Sequence, residues 1–257
     1  MKGMQQLQQV MTQLRNPESG CPWDLKQNMT SLIPYTIEET YEVVDAIQSG
    51  NWQSIKDELG DLLFQVVFYA QLAREEQQFE LDDIAVHTAE KLINRHPHVF
   101  GTDAQRNLSD AEIKAQWEQI KQQERTKKNA KGSVFDDIPS QLPSILKAAK
   151  LQKRAASVGF DWTEAEPVYA KVDEEIQEVK EATDQDHIEE EIGDLLFAVV
   201  NLARHKQVNP EAALQRANDK FKSRFQHIER SLSEQGKHPT DCNLEELEAL
   251  WLQAKKA

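Results

Sequence analysis

Two strings 133 residues apart constrain this chain most: Gly60 to Ala70 reads GDLLFQVVFYA and Gly193 to Ala203 reads GDLLFAVVNLA, agreeing at eight of eleven positions. The correspondence extends in both directions. Glu38 matches Glu174 at an offset of 136, Glu58 matches Glu191 at 133, Lys91 matches Lys220 at 129 and Trp117 matches Trp251 at 134. Small drifts of this kind are what changes in loop length produce. A solenoid would stack more and shorter units, so the pattern specifies one domain duplicated in tandem.

Each copy is expected to be helical. Gly and Pro number only nine each in 257 residues, and long stretches are built from Glu, Gln, Lys, Ala and Leu, which favour helix. The first helix is predicted over Met4 to Arg15, with Met4, Leu7, Val10, Met11 and Leu14 on one face, ending at Asn16-Pro17. Others follow over Tyr35 to Gln48, Gln53 to Gln77, Leu81 to Asn94 and Ala111 to Glu124. The apolar positions of the Gln53 to Gln77 helix, from Ile55 and Leu59 to Leu72, predict a central helix buried on most sides. The second series runs over Ile145 to Arg154, Val168 to Thr183, Glu189 to Arg204, Glu211 to Ser231 and Leu244 to Lys255. Lysines, Gly132, Pro139 and Pro143 mark the break between the series. The fold class is therefore all-α, with a first helical domain at 1–126, a linker at 127–144 and a second helical domain at 145–257.

The acids carry the functional signal. Helix residues three or four apart share a face, so Glu175 projects with Glu178 and Glu191 with Asp194. The turn between their helices is centred near Gln185, and Glu178 and Glu191 lie equally far from it, as do Glu175 and Asp194. In an antiparallel hairpin those pairs face each other. The first repeat obeys the same rule about Gly50, setting Glu42 opposite Glu58 and Glu39 opposite Asp61. Like charges at about 4 Å repel by roughly 4 kcal/mol at an effective dielectric near 20, so such a cluster calls for a cation. Oxygen donors without His or Cys select Mg²⁺, with Mn²⁺ as the alternative, over zinc. A di-iron carboxylate bundle uses Glu-x-x-His pairs, which this sequence lacks. The alternative is a solvated acidic face, the ordinary meaning of acidic runs on helices. Against it stand the apolar runs directly following Asp61 and Asp194, where an unpaired charge is costly, and the recurrence of the acids in both repeats.

Magnesium with open coordination positions usually meets phosphate oxygens. Lys171, Lys220, Arg224 and Lys255 are the cations available to complete a phosphate site in the second repeat. Lys220 and Arg224 share a helix face, and Lys255 shares one with Trp251, whose indole can lie against a base or ribose. Taken singly, each lysine reads as surface charge and Trp251 as core or interface.

Composition narrows the remaining classes. A formal charge of −14 disfavours nucleic acid and anionic membranes as partners. Cys21 and Cys242 have no metal-ligand spacing, and a reduced, cytoplasmic protein is the expectation. The glutamine-rich start, Met1 to Leu14, is not a signal peptide, and no stretch approaches the roughly 18 apolar residues of a membrane span.

At these residues the sequence resembles the MazG family of nucleoside triphosphate pyrophosphohydrolases, in the two-domain bacterial form. The signature is Glu-Glu-x-x-Glu, a spacer, then Glu-x-x-Asp, present as Glu38-Glu39-x-x-Glu42 with Glu58-x-x-Asp61 and as Glu174-Glu175-x-x-Glu178 with Glu191-x-x-Asp194. The flanks Gly20 to Asp24, Arg95 to Phe100 and Val158 to Trp162 extend the resemblance over essentially the full chain. It implies hydrolysis of a nucleoside triphosphate between its α- and β-phosphates, in nucleotide-pool housecleaning, by a homodimer. Glu175, Glu178, Glu191 and Asp194 would hold the metal, and Glu174 or Glu190 would orient or deprotonate the attacking water. Lys171, Lys220 and Arg224 would face the leaving pyrophosphate, with Trp251 and Lys255 completing the nucleotide site. Because Tyr35 replaces Lys171 in the first repeat, Glu39, Glu42, Glu58 and Asp61 are expected to form a second, weaker metal site. A nucleotide sensor without turnover and a helical adaptor are the competing readings.

Overall fold

A computed structural model describes residues 2–102, 108–128 and 132–255, and among them every regular element is a helix. The chain divides into two compact units, Met1–Ala130 and Lys131–Ala257. Positions 129–131 of the expected linker, and the domain ends at Met1 and 256–257, lie outside the described residues.

In the first unit, α1 (Lys2–Leu14) precedes a hairpin of α2 (Ile33–Ser49) and α3 (Trp52–Glu75). The hairpin turn is two residues long. Gly50 adopts the left-handed conformation (φ 69°) and returns its N–H to the Ile47 carbonyl, and Asn51 caps α3 by accepting from the amides of Gln53 and Ser54. A glycine suits the first position because a Cβ there would be strained, and an asparagine suits the second because its side chain replaces missing helical acceptors. The unit continues through α4 (Leu81–Arg95), the single turn α5 (Pro97–Phe100) and α6 (Asp110–Lys128). Its core is Met11, Leu32, Val67, Phe68 and Leu72, each at most 5% exposed. Burying side chains of this size stabilises by about 1.5–3 kcal/mol apiece, which is what pins α1 onto the second half of α3.

The second unit repeats the order with α7 (Ser144–Ala156), α8 (Glu166–Glu181), α9 (Gln185–His205), α10 (Pro210–Ser233) and α11 (Leu244–Ala254). Asp184 caps α9 through the His187 amide, and Gly159 (φ 90°) turns the chain from α7 into the segment 159–162. Val168, Ala198, Val200, Ile228 and Leu232 are its buried apolar residues.

An ion pair ties the loop after the first helix to the long hairpin helix in each unit, with the charges exchanged. Arg15, at the end of α1, bonds both carboxylate oxygens of Glu75 in α3. In the second unit the acid is in the loop and the base on the helix, with Arg204 of α9 forked onto Asp161.

The expectation of a third helix buried on most sides needs correction. The second half of α3 is buried, but Leu59, Leu63 and Val66 are 48, 38 and 37% exposed. Their counterparts on α9, Ile192, Leu196 and Val199, are 42, 58 and 45% exposed. Each set follows i, i+4, i+7 spacing, so both hairpins present one apolar stripe that their own unit does not cover.

Candidate metal and nucleotide site

Packing of α8 against α9 brings the acids of the second repeat together. One oxygen from each of Glu175, Glu178 and Glu191 lies within 4.8 Å of the others. In the first repeat the corresponding set is Glu39, Glu58 and Asp61, within the same limit. Pairing about the hairpin turn is thus visible in both, with a different third member in each. Glu42 lies close enough to Glu39 and Glu58 to act on their titration, and Asp194 borders the same space as Glu175.

The crowding has an electrostatic signature. Desolvation by burial, then the neighbouring Glu175 and Glu191, raises the Glu178 carboxyl above its usual range. Desolvation followed by Asp61 does the same to Glu39, and desolvation followed by Glu42 to Glu58. These groups resist simultaneous ionisation, which a divalent cation between them would relieve.

Glu175 is the most constrained member. It is 4% exposed; Lys171 Nζ lies 2.7 Å from its Oε1, while its Oε2 is buried without a hydrogen-bond partner. Nζ also reaches Oε1 of Glu174 at 2.9 Å, and these two carboxylates, Glu175 first, raise the Lys171 pKa. An unpartnered carboxylate oxygen at this depth is a costly arrangement unless something positive meets it. The all-oxygen donor set and this orphaned oxygen both fit a hard divalent cation.

Beside the acids lies a cavity of about 660 Å³ walled by α7, α8, α9, the segment 159–162 and Phe135. Lys171, Glu175 and Asp194 form its charged border, and Gln152, Phe160, Trp162, Phe197, Asn201 and Arg204 line the remainder. Several of these residues carried no signal in the sequence. Asn201 had one, since it stands where the matched string of the first repeat has Phe68, a buried core residue. His187 also went unremarked, although its Nε2 lies 3.0 Å from Glu191 Oε1, one helical turn away.

The remaining expected residues are distributed as follows. Glu174 and Glu190 are exposed beside the cluster on α8 and α9, and Lys220 and Lys255 are exposed on α10 and α11. Arg224 is half-buried, its guanidinium carbon 5.5 Å from the Trp251 ring centroid, with Phe221 packed on the same indole at 5.2 Å. The first repeat builds an analogous cation-π pair with Lys121 Nζ 4.0 Å from the Trp117 centroid. Neither Arg224 nor Trp251 borders the cavity.

The MazG nucleotide pyrophosphohydrolase domain matches residues 27–100 and 164–229, one segment in each unit and more than half of the chain together. The chain belongs to the MazG family. A nucleoside triphosphate pyrophosphohydrolase of Escherichia coli strain K12 is 50% identical over 261 residues, covering 100% of this MazG chain and 98% of the relative. The nucleoside triphosphate pyrophosphohydrolase/pyrophosphatase MazG of Thermotoga maritima is 45% identical over 251 residues, 98% of this chain and 95% of that one. The two MazG segments contain all ten signature acids, Glu38 to Asp61 in the first and Glu174 to Asp194 in the second. No helix among the described residues is long and apolar enough to cross a membrane.

Proposed function

We propose that the chain hydrolyses nucleoside triphosphates to the monophosphate and pyrophosphate, with magnesium as its cation and the second repeat as the main catalytic site. The observation that carries this reading is the convergence of Glu175, Glu178 and Glu191 beside Lys171 and a cavity of nucleotide size. The printed activity of the Escherichia coli and Thermotoga maritima relatives supports the same reaction here.

Glu175, Glu178, Glu191 and Asp194 would hold Mg²⁺, or Mn²⁺ in its place. When bound, the cation neutralises triphosphate charge and polarises the α-phosphoryl group. Glu174 or Glu190, both outside the ligand set, takes a proton from the attacking water. The water oxygen bonds to the α-phosphorus, the bond from that phosphorus to the bridging oxygen breaks, and the electron pair leaves with pyrophosphate. Lys171, paired here with Glu174 and Glu175, would face the departing charge together with Lys220 and Arg224. Trp251 would lie near the base or ribose, with Lys255 completing the nucleotide site. Tyr35 supplies no such cation in the first repeat, so Glu39, Glu42, Glu58 and Asp61 form the weaker site.

The exposed stripes of α3 and α9 support a homodimer, since a second copy offers the same apolar spacing in return. Two free cysteines suit a reducing cytoplasm, and a housecleaning role against aberrant nucleotides fits the reaction. Incubation with a panel of triphosphates and Mg²⁺, followed by separation of products, tests the reading. Monophosphate with pyrophosphate is expected. Diphosphate with orthophosphate would replace it with phosphoryl transfer to water at the γ-phosphate, and tight binding without turnover with a sensor.

A further inference from the structure

We propose that Lys171 makes cation uptake by the second repeat conditional on a nucleotide, and that the first repeat, which has no such lysine, is where a bare divalent ion binds. The proposal rests on the metal and triphosphate reading of these acids and concerns the order in which the two repeats are loaded.

The two clusters differ in what already occupies them. In the second, Lys171 Nζ contacts Glu175 at 2.7 Å and Glu174 at 2.9 Å, and His187 Nε2 stands 3.0 Å from Glu191. Two of the three converging carboxylates therefore begin with a partner, one of them a full positive charge. A bare cation entering here must displace that ammonium from a carboxylate that is 4% exposed, or sit against it, and like charges a few ångströms apart are costly away from bulk water. A triphosphate removes the conflict, because its oxygens give the ammonium and the metal an anionic partner each. Metal and nucleotide thus enter the second repeat together.

The first repeat lacks both residents. Tyr35 stands four residues before Glu39, as Lys171 does before Glu175, and Ser54 stands four before Glu58, as His187 does before Glu191. Every charged group acting on Glu39 and Glu58 is a carboxylate. Glu39 is instead held by the Gln65 amide, a neutral group that opposes no cation. Gln65 is 6% exposed and its Oε1 is buried without a hydrogen-bond partner, which leaves a hard oxygen beside the acids for an ion or its bound water. Acids without a resident cation, next to such an oxygen, are the better host for an ion that arrives alone. The same cluster remains the weaker site for a metal-nucleotide complex, which needs a lysine facing the phosphates.

Electron paramagnetic resonance of the full chain titrated with Mn²⁺ counts the ions bound before and after a non-hydrolysable α,β-methylene nucleoside triphosphate is added. Without nucleotide, wild type should take up about one ion per chain at least about tenfold more tightly than any second, and nucleotide should bring in the second. Glu58→Gln should remove the first ion and leave the nucleotide-dependent one. Lys171→Met should admit the second ion without nucleotide. Tyr35→Lys, at a residue already 36% exposed, installs the missing ammonium and should weaken nucleotide-free uptake at least about tenfold, which keeps the test open if Lys171→Met does not fold. No ion bound without nucleotide, two bound equally, or uptake indifferent to Glu58→Gln or to both lysine substitutions overturns the proposal. The expected pattern of uptake with no pyrophosphate from any triphosphate would leave the loading order standing and overturn the hydrolytic reading instead.

Discussion

Lys171 holds its ammonium 2.7 Å from Oε1 of Glu175, a carboxylate that is 4% exposed and otherwise lacks a cation. The lysine thereby occupies electrostatically the role proposed for magnesium. Lys171→Met should destabilise the metal-free protein by about 1–3 kcal/mol, the cost of leaving a buried polar group unsatisfied. Saturating Mg²⁺ should recover most of that loss. Thermal denaturation in EDTA and in Mg²⁺ measures both quantities, and an identical deficit under the two conditions would contradict the substitution of one cation for the other.

The two repeats should respond unequally to loss of one ligand. Glu175→Gln is expected to lower turnover by about 10²–10³-fold, whereas Glu39→Gln should change it by less than about fivefold, the site it alters lacking a lysine at position 35. Steady-state rates of the purified variants decide, and equal losses would defeat the asymmetry.

Much of this arrangement was legible in the sequence. Helical period and turn position suffice to set Glu178 against Glu191, because both are local properties of a hairpin. The cavity was not legible, since Phe135, Gln152, Trp162 and Asn201 come from four segments that only tertiary packing assembles. Nor was the exposure of Leu59 and Leu196. Periodicity reports that a helix face is apolar, but not whether the same chain covers it. His187 escaped because a histidine four residues before a glutamate follows the reverse order of the metal motif under test.

That uncovered face leads to a third expectation. Leu196→Glu puts a charge in the middle of the α9 stripe, where the leucine is already 58% exposed, so the isolated fold should lose less than about 1 kcal/mol. With the proposed homodimer as the wild-type state, sedimentation velocity should show a shift toward monomer. An unaltered sedimentation coefficient would overturn the stripe as the surface of the proposed homodimer.

Phe68 has a structural task where Asn201 borders a cavity. Phe68→Ala should cost about 3–5 kcal/mol in urea denaturation, the range for emptying a large aromatic from a packed core. Turnover per folded molecule should remain near wild type. A loss of activity as large as that of Glu175→Gln would show the first repeat taking part in catalysis.

Acid should weaken the Arg15 tie. Hydrogen bonds from Arg15 hold the Glu75 carboxyl below its ordinary range. The folded-state pKa is therefore lower than the unfolded value near 4.3, so the stabilisation is complete above about pH 4.3 and disappears as pH falls through the folded pKa. Wild type should exceed Glu75→Gln in stability at pH 6 and approach it at about pH 3. Urea midpoints at the two pH values provide the comparison; a constant gap would remove the titration from the account.

The guanidinium of Arg15 also donates to the Asp24 carbonyl at 2.5 Å and the Gln27 carbonyl at 3.3 Å while bonding Glu75, with the arginine side chain only 9% exposed. Three stretches distant in sequence thus share one rigid fork, and none can leave without orphaning donors that the others need. The end of α1, the 24–27 turn and the last turn of α3 should therefore open as one cooperative unit, with amides that exchange with solvent at a common free energy.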